Sequence, residues 1–368
     1  MRIEITNNKV FLKFPKKKLE IHPLWLRERA RLDNLHDKNT DQRLYDPSEL
    51  NTNLKIKKAS ISNGNLNINF NDGIKFDYEI KELFYELNKN LPYENPVLWN
   101  SKLKNIPKIN YRDHIFDTIS MYDLLQNFYK YGFIIIKNTP NDENFLVKFA
   151  NSIGTVRPTN FGTTFNVRSE KNYNDLAYTN HHIAAHTDNP YRKPVPCIQL
   201  LHCIHNEVEG GFSTVVDGFA VAEYLRKKHK NLFNIISSTK VRFRFVDKDI
   251  ILENWGEIIE LDEAGKPKQI RHSPRLDYVP VLEKKELEKF YKARRLFSKL
   301  CSSKNFEIKF KLEVGDIIMF DNYRTLHGRT SFSQSEGKRF LKGCYIDHDS
   351  TEGKLRFLER KFNLKWKK

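Results

Sequence analysis

Apolar and polar residues alternate along much of the first eighty positions of the chain. In ASISNGNLNINFNDGIKFDY, Leu66, Ile68 and Phe70 fall two apart, as a strand with one buried face requires. Asn63-Gly64, just before them, supplies the residue types of a two-residue hairpin turn. IEITNNKVFLKF reads in the same way, as two short strands about Asn7-Asn8. Between these hairpins, IHPLWLRERARLDNLHDKNTDQRL is a polar link with an apolar anchor at Leu24 and Trp25. KELFYELNKN starts a helix that stops at Leu91-Pro92, and Pro92, Pro96 and Pro107 keep residues 92–110 from regular structure.

Beyond the prolines the pattern changes. DTISMYDLLQNFYK puts Met121, Leu124, Leu125 and Phe128 on one side of a helix over 117–130. YGFIIIKNTP is a buried strand, and NDENFLVKFANSIG a second helix with Gly154 as its C-cap. CIQLLHCI, TVVDGF, KVRFRFVDK, FEIKFKL, DIIMFDN and FLKGCYID read as strands, and KKELEKFYKARRLFSKLC as a long helix. The expected organisation is a small N-terminal β-rich domain over 1–95, then a domain over 96–368 that is mainly β with peripheral helices. The second domain is expected to be an antiparallel double sheet or barrel. No internal repeat interrupts it.

Composition narrows the class. A chain of 368 residues, 39% of them hydrophobic, can bury a sizeable core and is too apolar for disorder. It holds no run of eighteen apolar residues and no leader-like segment, so a cytoplasmic protein without membrane contact is expected. Cys197, Cys203, Cys301 and Cys344 are too few and too scattered for a disulfide framework. The net charge of +17 raises the question of nucleic acid. However, residues 1–31 hold nine Lys/Arg against three Asp/Glu, and residues 351–368 hold seven against two. An excess at the chain ends is not a basic stripe leading to a site, so a solvated surface is the preferred reading and nucleic acid is not an expected partner.

Several common chemistries are excluded by motif. No G-x-G-x-x-G, Walker A loop or G-x-S-x-G elbow is present, and no C-x-x-C or H-E-x-x-H spacing occurs. The richest segment is HHIAAHTDNP. In extended backbone, His186 and Asp188 point the same way and can converge on one metal. The best third ligand is His327, placed just beyond the apolar strand DIIMFDN. Two His and one carboxylate form the facial triad of non-haem Fe(II) oxygenases. Twelve residues after His327 comes Arg339, whose guanidinium can hold a dicarboxylic cosubstrate bidentately.

This order of residues resembles the gamma-butyrobetaine and trimethyllysine dioxygenases, a branch of the taurine-dioxygenase-like 2-oxoglutarate oxygenases. Matching pieces are HPLWLRER, HTDNPYR, QLLHC, GGFSTVVDGF, LHGR and GCYID, spread over nearly the whole chain. The resemblance implies a double-stranded β-helix (jelly-roll) core and Fe(II) on His186, Asp188 and His327. It implies 2-oxoglutarate as cosubstrate, its far carboxylate on Arg339. Ser213 matches the place of a hydroxyl that assists this carboxylate in taurine-type relatives. Thr214 is its neighbour, and Arg329 orients the cosubstrate or braces the site. The implied reaction couples oxidation of 2-oxoglutarate to succinate with hydroxylation of an unactivated C–H. A homodimer is also implied.

Family members that act on betaines hold the trimethylammonium group in an aromatic cage. The cage positions fall on Phe161, Phe165, Tyr178 and Tyr345, all aromatic here. Asp175 stands where an Asn would help a substrate carboxylate, and Asn189 where the animal butyrobetaine enzyme has a Tyr. Gamma-butyrobetaine is placed first as substrate. Trimethyllysine, favoured by Asp175, and a trimethylaminoethylphosphonate are the alternatives. The structural zinc usual in the family's N-terminal unit is not expected, because the matching positions are Ala30, Leu32, Leu35 and Ile74. A non-catalytic jelly-roll binding module is the rival of another class, and it would not need the triad together with Arg339.

Overall fold

The computed structural model describes residues 2–15, 17–87, 92–93, 96–112, 115–168, 180–333 and 337–364. The chain divides into two compact units, 1–91 and 92–368. In the first, strands Arg2–Thr6, Lys9–Lys13 and Lys18–Glu20 form one antiparallel sheet. Strands Ile56–Ser62, Asn65–Phe70 and Lys75–Glu79 form another. The expected turns close both first hairpins. Asn7 and Asn8 have φ of 50° and 58°, and Asn63 and Gly64 have 51° and 79°, the left-handed pair that matches strand twist. Leu66, Ile68 and Phe70 are buried, as their alternation requires. The link between the hairpins holds the short helix Pro23–Arg27. Helical rotation makes Leu26 the buried anchor, while Leu24 and Trp25 are only partly buried. The stretch around Ala30, Leu32 and Leu35 is closed by pairing of His36–Asp37 with Gln42–Arg43. The Asp37 carboxylate accepts there from the Asn39 and Thr40 amides.

The second unit is built on two antiparallel-rich sheets. The larger runs, in order, Phe165–Val167, Arg339–Ile346, Ile198–Asn206, Ile317–Asp321, Phe133–Lys137 and Lys108–Asn110. The smaller runs Ile183–His186, Thr325–Arg329, Ser213–Asp217 and Ile308–Phe310. Strand Phe133–Lys137 shows why its sequence is continuously apolar rather than alternating. Ile134 and Ile136 pack with Met121, Leu125 and Phe149 under the helices Ile119–Tyr131 and Phe145–Ile153. Phe133 and Ile135 pack on the opposite face with Leu201, Val215 and Phe320. Both faces are covered, so both carry hydrophobes. Behind the smaller sheet, Val216 and Leu326 meet Phe243, Phe290 and Phe297.

Among the described residues of the second unit, three helices lie outside the expected set. Gly218–Lys228 begins where TVVDGF was expected to remain a strand, because Asp217 caps it by accepting from the Phe219 and Ala220 amides. Lys230–Ile236 comes next, and His348–Phe362 packs Leu355 and Leu358 into the helix-covered core of the larger sheet. Gly154 does end its helix, but at φ −175° it is extended rather than left-handed. What favours glycine there is space: an added Cβ would stand 3.0 Å from Ser350 Cβ. Among the described residues, no helix is long and apolar enough to cross a membrane.

Candidate functional site

The smaller sheet supplies one side of a pocket. His186 ends its strand, and His327 lies directly opposite it in register, in the middle of Thr325–Arg329. His327 thus sits inside a short strand of its own rather than beyond the end of another. Opposed residues of an antiparallel pair project to one face, and the two rings have centroids 4.4 Å apart. Asp188 Oδ1 stands 3.3 Å from His186 Nε2 and 3.7 Å from His327 Nε2. One ligand atom from each residue lies within 4.8 Å of the others, close enough to share a metal ion. His186 Nδ1 is 2.9 Å from the Ala184 carbonyl. A carbonyl only accepts, so Nδ1 carries the ring proton and Nε2 keeps its lone pair for a metal.

Buried polar groups hold the Asp188 segment in place. The Asp188 amide donates to Asn322 Oδ1 at 2.7 Å, and Asn322 Nδ2 donates to the Asp188 and Pro196 carbonyls. The Thr187 amide donates to the His272 carbonyl, and the His272 amide returns a bond to Thr187 Oγ1, both at 2.9 Å. Burial alone would raise the Asp188 carboxyl. The positive charge that His327 or His186 carries when protonated and the bond from the Tyr345 hydroxyl outweigh it and hold the group well below the usual carboxylate range. Burial pushes His327 down to about 3, so its ring is neutral and can ligate.

The larger sheet supplies the other side. In strand Arg339–Ile346, Arg339, Leu341 and Tyr345 share a face by the two-residue period and line the pocket. Arg339 is buried, with Nε and Nη1 lacking hydrogen-bond partners among the described residues. An orphaned buried guanidinium at a pocket wall fits an anionic ligand. Arg329 is buried too, donates to the His181 carbonyl and stacks, like Arg339, on Phe332. Burial lowers Arg329 to about 9 and Arg339 to about 10, which leaves both charged at neutral pH. Ser213 pairs with Arg329 in register and lines the pocket. Thr214 faces elsewhere: its Oγ1 would lie 2.8 Å from a Cβ on Gly328, and it is not among the lining residues.

Aromatic side chains complete the wall. Phe165 stacks on Tyr345 at 5.1 Å. Phe165 pairs with Gly343, where an added Cβ would stand 2.4 Å from its ring, so glycine is what seats this ring. Phe161 lines the same pocket, edge-on to Phe245 and with the Arg192 guanidinium 5.7 Å from its centre. Asn189 lines it as well and bonds Tyr345. Asp175 and Tyr178 lie outside the described residues. The structure therefore brings together the three triad residues, Arg339, Arg329, Ser213, Phe161, Phe165, Asn189 and Tyr345. Sequence reasoning missed Asn322, His272 and Gln199, a buried amide opposite Tyr345 in register. Gln199 is an isolated polar residue within apolar sequence, which was its available mark, whereas Asn322 and His272 stand beside other polar residues and carried none.

The chain is similar to known proteins. The pattern of the family described as taurine catabolism dioxygenase TauD, TfdA family matches residues 101–345. A gamma-butyrobetaine dioxygenase of Pseudomonas sp. (strain AK-1) is 28% identical over 92% of this chain and 90% of its own length. The Homo sapiens gamma-butyrobetaine dioxygenase is 32% identical over 76% of this chain and 74% of its own. The mitochondrial trimethyllysine dioxygenase of Mus musculus is 28% identical over 91% and 82%. The crystal structure of PvcB from Pseudomonas aeruginosa covers 69% of this chain and 91% of its own, with 15% identity and a TM-score of 0.51, which shows a common fold. The matched segment contains both sheets, the triad and the orphaned arginine, and with the near full-length relatives it decides the assignment: the chain belongs to the TauD, TfdA family, among the gamma-butyrobetaine and trimethyllysine dioxygenases, and is an Fe(II)- and 2-oxoglutarate-dependent dioxygenase.

Proposed function

We propose that the protein hydroxylates an unactivated C–H bond of a small trimethylammonium compound, with gamma-butyrobetaine as the first candidate. In this reading His186, Asp188 and His327 hold Fe(II). Arg339 holds the far carboxylate of 2-oxoglutarate, with the Ser213 hydroxyl beside it and Arg329 bracing the same wall. Iron and cosubstrate supply the oxidising chemistry. The chain's own side chains bind, orient and keep water out.

The observation that carries the substrate class is the aromatic wall. A trimethylammonium group has no N–H to donate, so ring faces and apolar contact are what a protein can offer it. Phe161, Phe165 and Tyr345 line the pocket that holds the triad, and Tyr178 is proposed as the fourth ring. The polar end is read from charge. Among the described lining residues Asp188 is the only carboxylate, and with Arg339 and Arg329 given to the cosubstrate wall, Arg275 is the further arginine of the lining. Such a lining suits a carboxylate or phosphonate end better than the α-ammonium of trimethyllysine. The curated relatives carry both names, gamma-butyrobetaine dioxygenase and trimethyllysine dioxygenase, so the panel below includes both substrates.

The test is succinate formation by Fe(II)-loaded protein with 2-oxoglutarate and oxygen. The panel is gamma-butyrobetaine, trimethyllysine, trimethylaminoethylphosphonate and taurine. Turnover with a quaternary ammonium compound, absent in His186→Ala, supports the reading and identifies the polar end. Turnover with taurine alone overturns it.

A further inference from the structure

Tyr345 stands where the aromatic wall meets the metal site. Its ring stacks on Phe165, and its hydroxyl lies 2.7 Å from Asp188 Oδ2. The other oxygen, Oδ1, is the one that faces His186 Nε2 and His327 Nε2. A carboxylate that ligates a metal is ionised and can only accept. Tyr345 therefore donates, and its single proton is committed to Oδ2. Its oxygen must then accept from its next neighbour, Asn189 Nδ2 at 3.1 Å. That orientation turns Asn189 Oδ1 toward Tyr191, whose hydroxyl donates at 2.6 Å. Every bond direction is thus dictated outward from the carboxylate. Both tyrosines are buried, and Asn189 sits at φ 51°, a left-handed conformation that Asn and Asp tolerate better than most residues.

We infer that the hydrogen-bond chain Tyr191–Asn189–Tyr345 is a positioning device for the metal: by occupying Oδ2, it holds Asp188 as a one-oxygen ligand through Oδ1. The inference rests on the reading that the triad binds Fe(II). A carboxylate ligating through both oxygens would take up one of the coordination positions that a two-His, one-carboxylate triad leaves open. Asn189 is central because only a side chain that both accepts and donates passes the direction along. Tyr345 then has two separable roles, its ring on the substrate side and its hydroxyl on the metal side.

The two roles are separated by Tyr345→Phe, which keeps the ring and removes the proton. Apoprotein is titrated with Co(II), and binding is read by calorimetry and by the visible absorption of the bound ion. Co(II) binding is expected to weaken roughly 10–100-fold, the usual cost of losing a partner of a metal ligand. The absorption should change shape as the carboxylate rearranges. Asn189→Asp is the second variant, since Asp suits the same backbone. Its carboxylate accepts from Tyr345 and draws the proton away from Asp188, so it too should weaken Co(II) binding, whether or not Tyr345→Phe folds. If both variants bind Co(II) as tightly as wild type, with the same spectrum, the positioning role is wrong and the metal reading stands. If wild type binds no Co(II), the metal reading itself fails.

Discussion

At the scale of single residues, the strongest handle is Arg339. Its guanidinium is buried, charged and lacks partners at two of its nitrogens among the described residues, a state that a folded chain tolerates where a ligand completes it. Arg339→Met removes the charge and keeps most of the packing volume. Losing a charge-assisted, two-point contact costs about 2–4 kcal/mol, so KM for 2-oxoglutarate is expected to rise on the order of 30- to 1000-fold. Arg339→Lys should recover only part of this, because an ammonium is a point charge without the planar fork. Steady-state succinate formation against 2-oxoglutarate concentration measures both variants. Co(II) binding by either variant should match wild type, since Arg339 belongs to the other sheet. An unchanged KM in Arg339→Met would remove Arg339 from the cosubstrate site. The residues of this site were unevenly legible in the sequence. His186, Asp188, His327 and Arg339 carried a mark because chemistry needs those types in that order. Asn322 and His272 act through backbone carbonyls and amides, and nothing in the sequence indicates which carbonyl a side chain will meet.

At the scale of elements, a single buried ion pair ties several segments together. Asp217 ends one strand of the smaller sheet and caps the helix Gly218–Lys228. It also accepts from Arg324 at 2.8 and 3.1 Å and from the Trp99 amide. Arg324 in turn donates to the Val97 and Lys130 carbonyls. Both charges are nearly inaccessible, so removing one leaves the other buried without its counter-ion. Asp217→Ala is expected to cost about 3–5 kcal/mol in urea denaturation, and the pair Asp217→Ala with Arg324→Met less than the two single losses combined. A surface pair such as Arg356 with Glu352 is expected to contribute well under 1 kcal/mol by the same measurement. His202, in the strand Ile198–Asn206, makes stability depend on acid. Burial pushes its ring down to about 4. As pH falls below the ordinary histidine value of about 6.5, the unfolded chain takes up a proton that the folded chain refuses. The contribution is therefore present above about pH 6.5 and is lost as pH falls toward about 4. Wild type is expected to lose roughly 2–3 kcal/mol more than His202→Gln between about pH 7 and pH 4. Equal losses would mean that another group sets the acid limb. The element containing His202 was legible because QLLHC is apolar on both sides. The helix after Asp217 was not, because Asp-Gly serves equally as a turn and as a helix cap, and tertiary packing decides between them.

At the scale of the whole molecule, the two sheets of the second unit divide the work. The smaller carries the two histidines, and the larger carries Arg339 and Tyr345. The pocket between them is completed by ligands that belong to different sheets, so the ligands should add to stability in separate increments. A ligand that binds only the folded state stabilises by RT ln(1 + [L]/Kd), about 2.7 kcal/mol at a hundredfold excess over Kd. Melting of the apoprotein is expected to move upward on adding Mn(II), and again on adding 2-oxoglutarate under nitrogen. In His327→Ala the first increment should vanish, and most of the second with it, because the cosubstrate then has only its Arg339 end to hold. In Arg339→Met the first increment should persist and the second should shrink. Loss of both increments in Arg339→Met would mean that this residue supports the fold rather than the ligand. A full second increment in His327→Ala would mean that 2-oxoglutarate binds without help from the metal, and the division between the sheets would have to be redrawn.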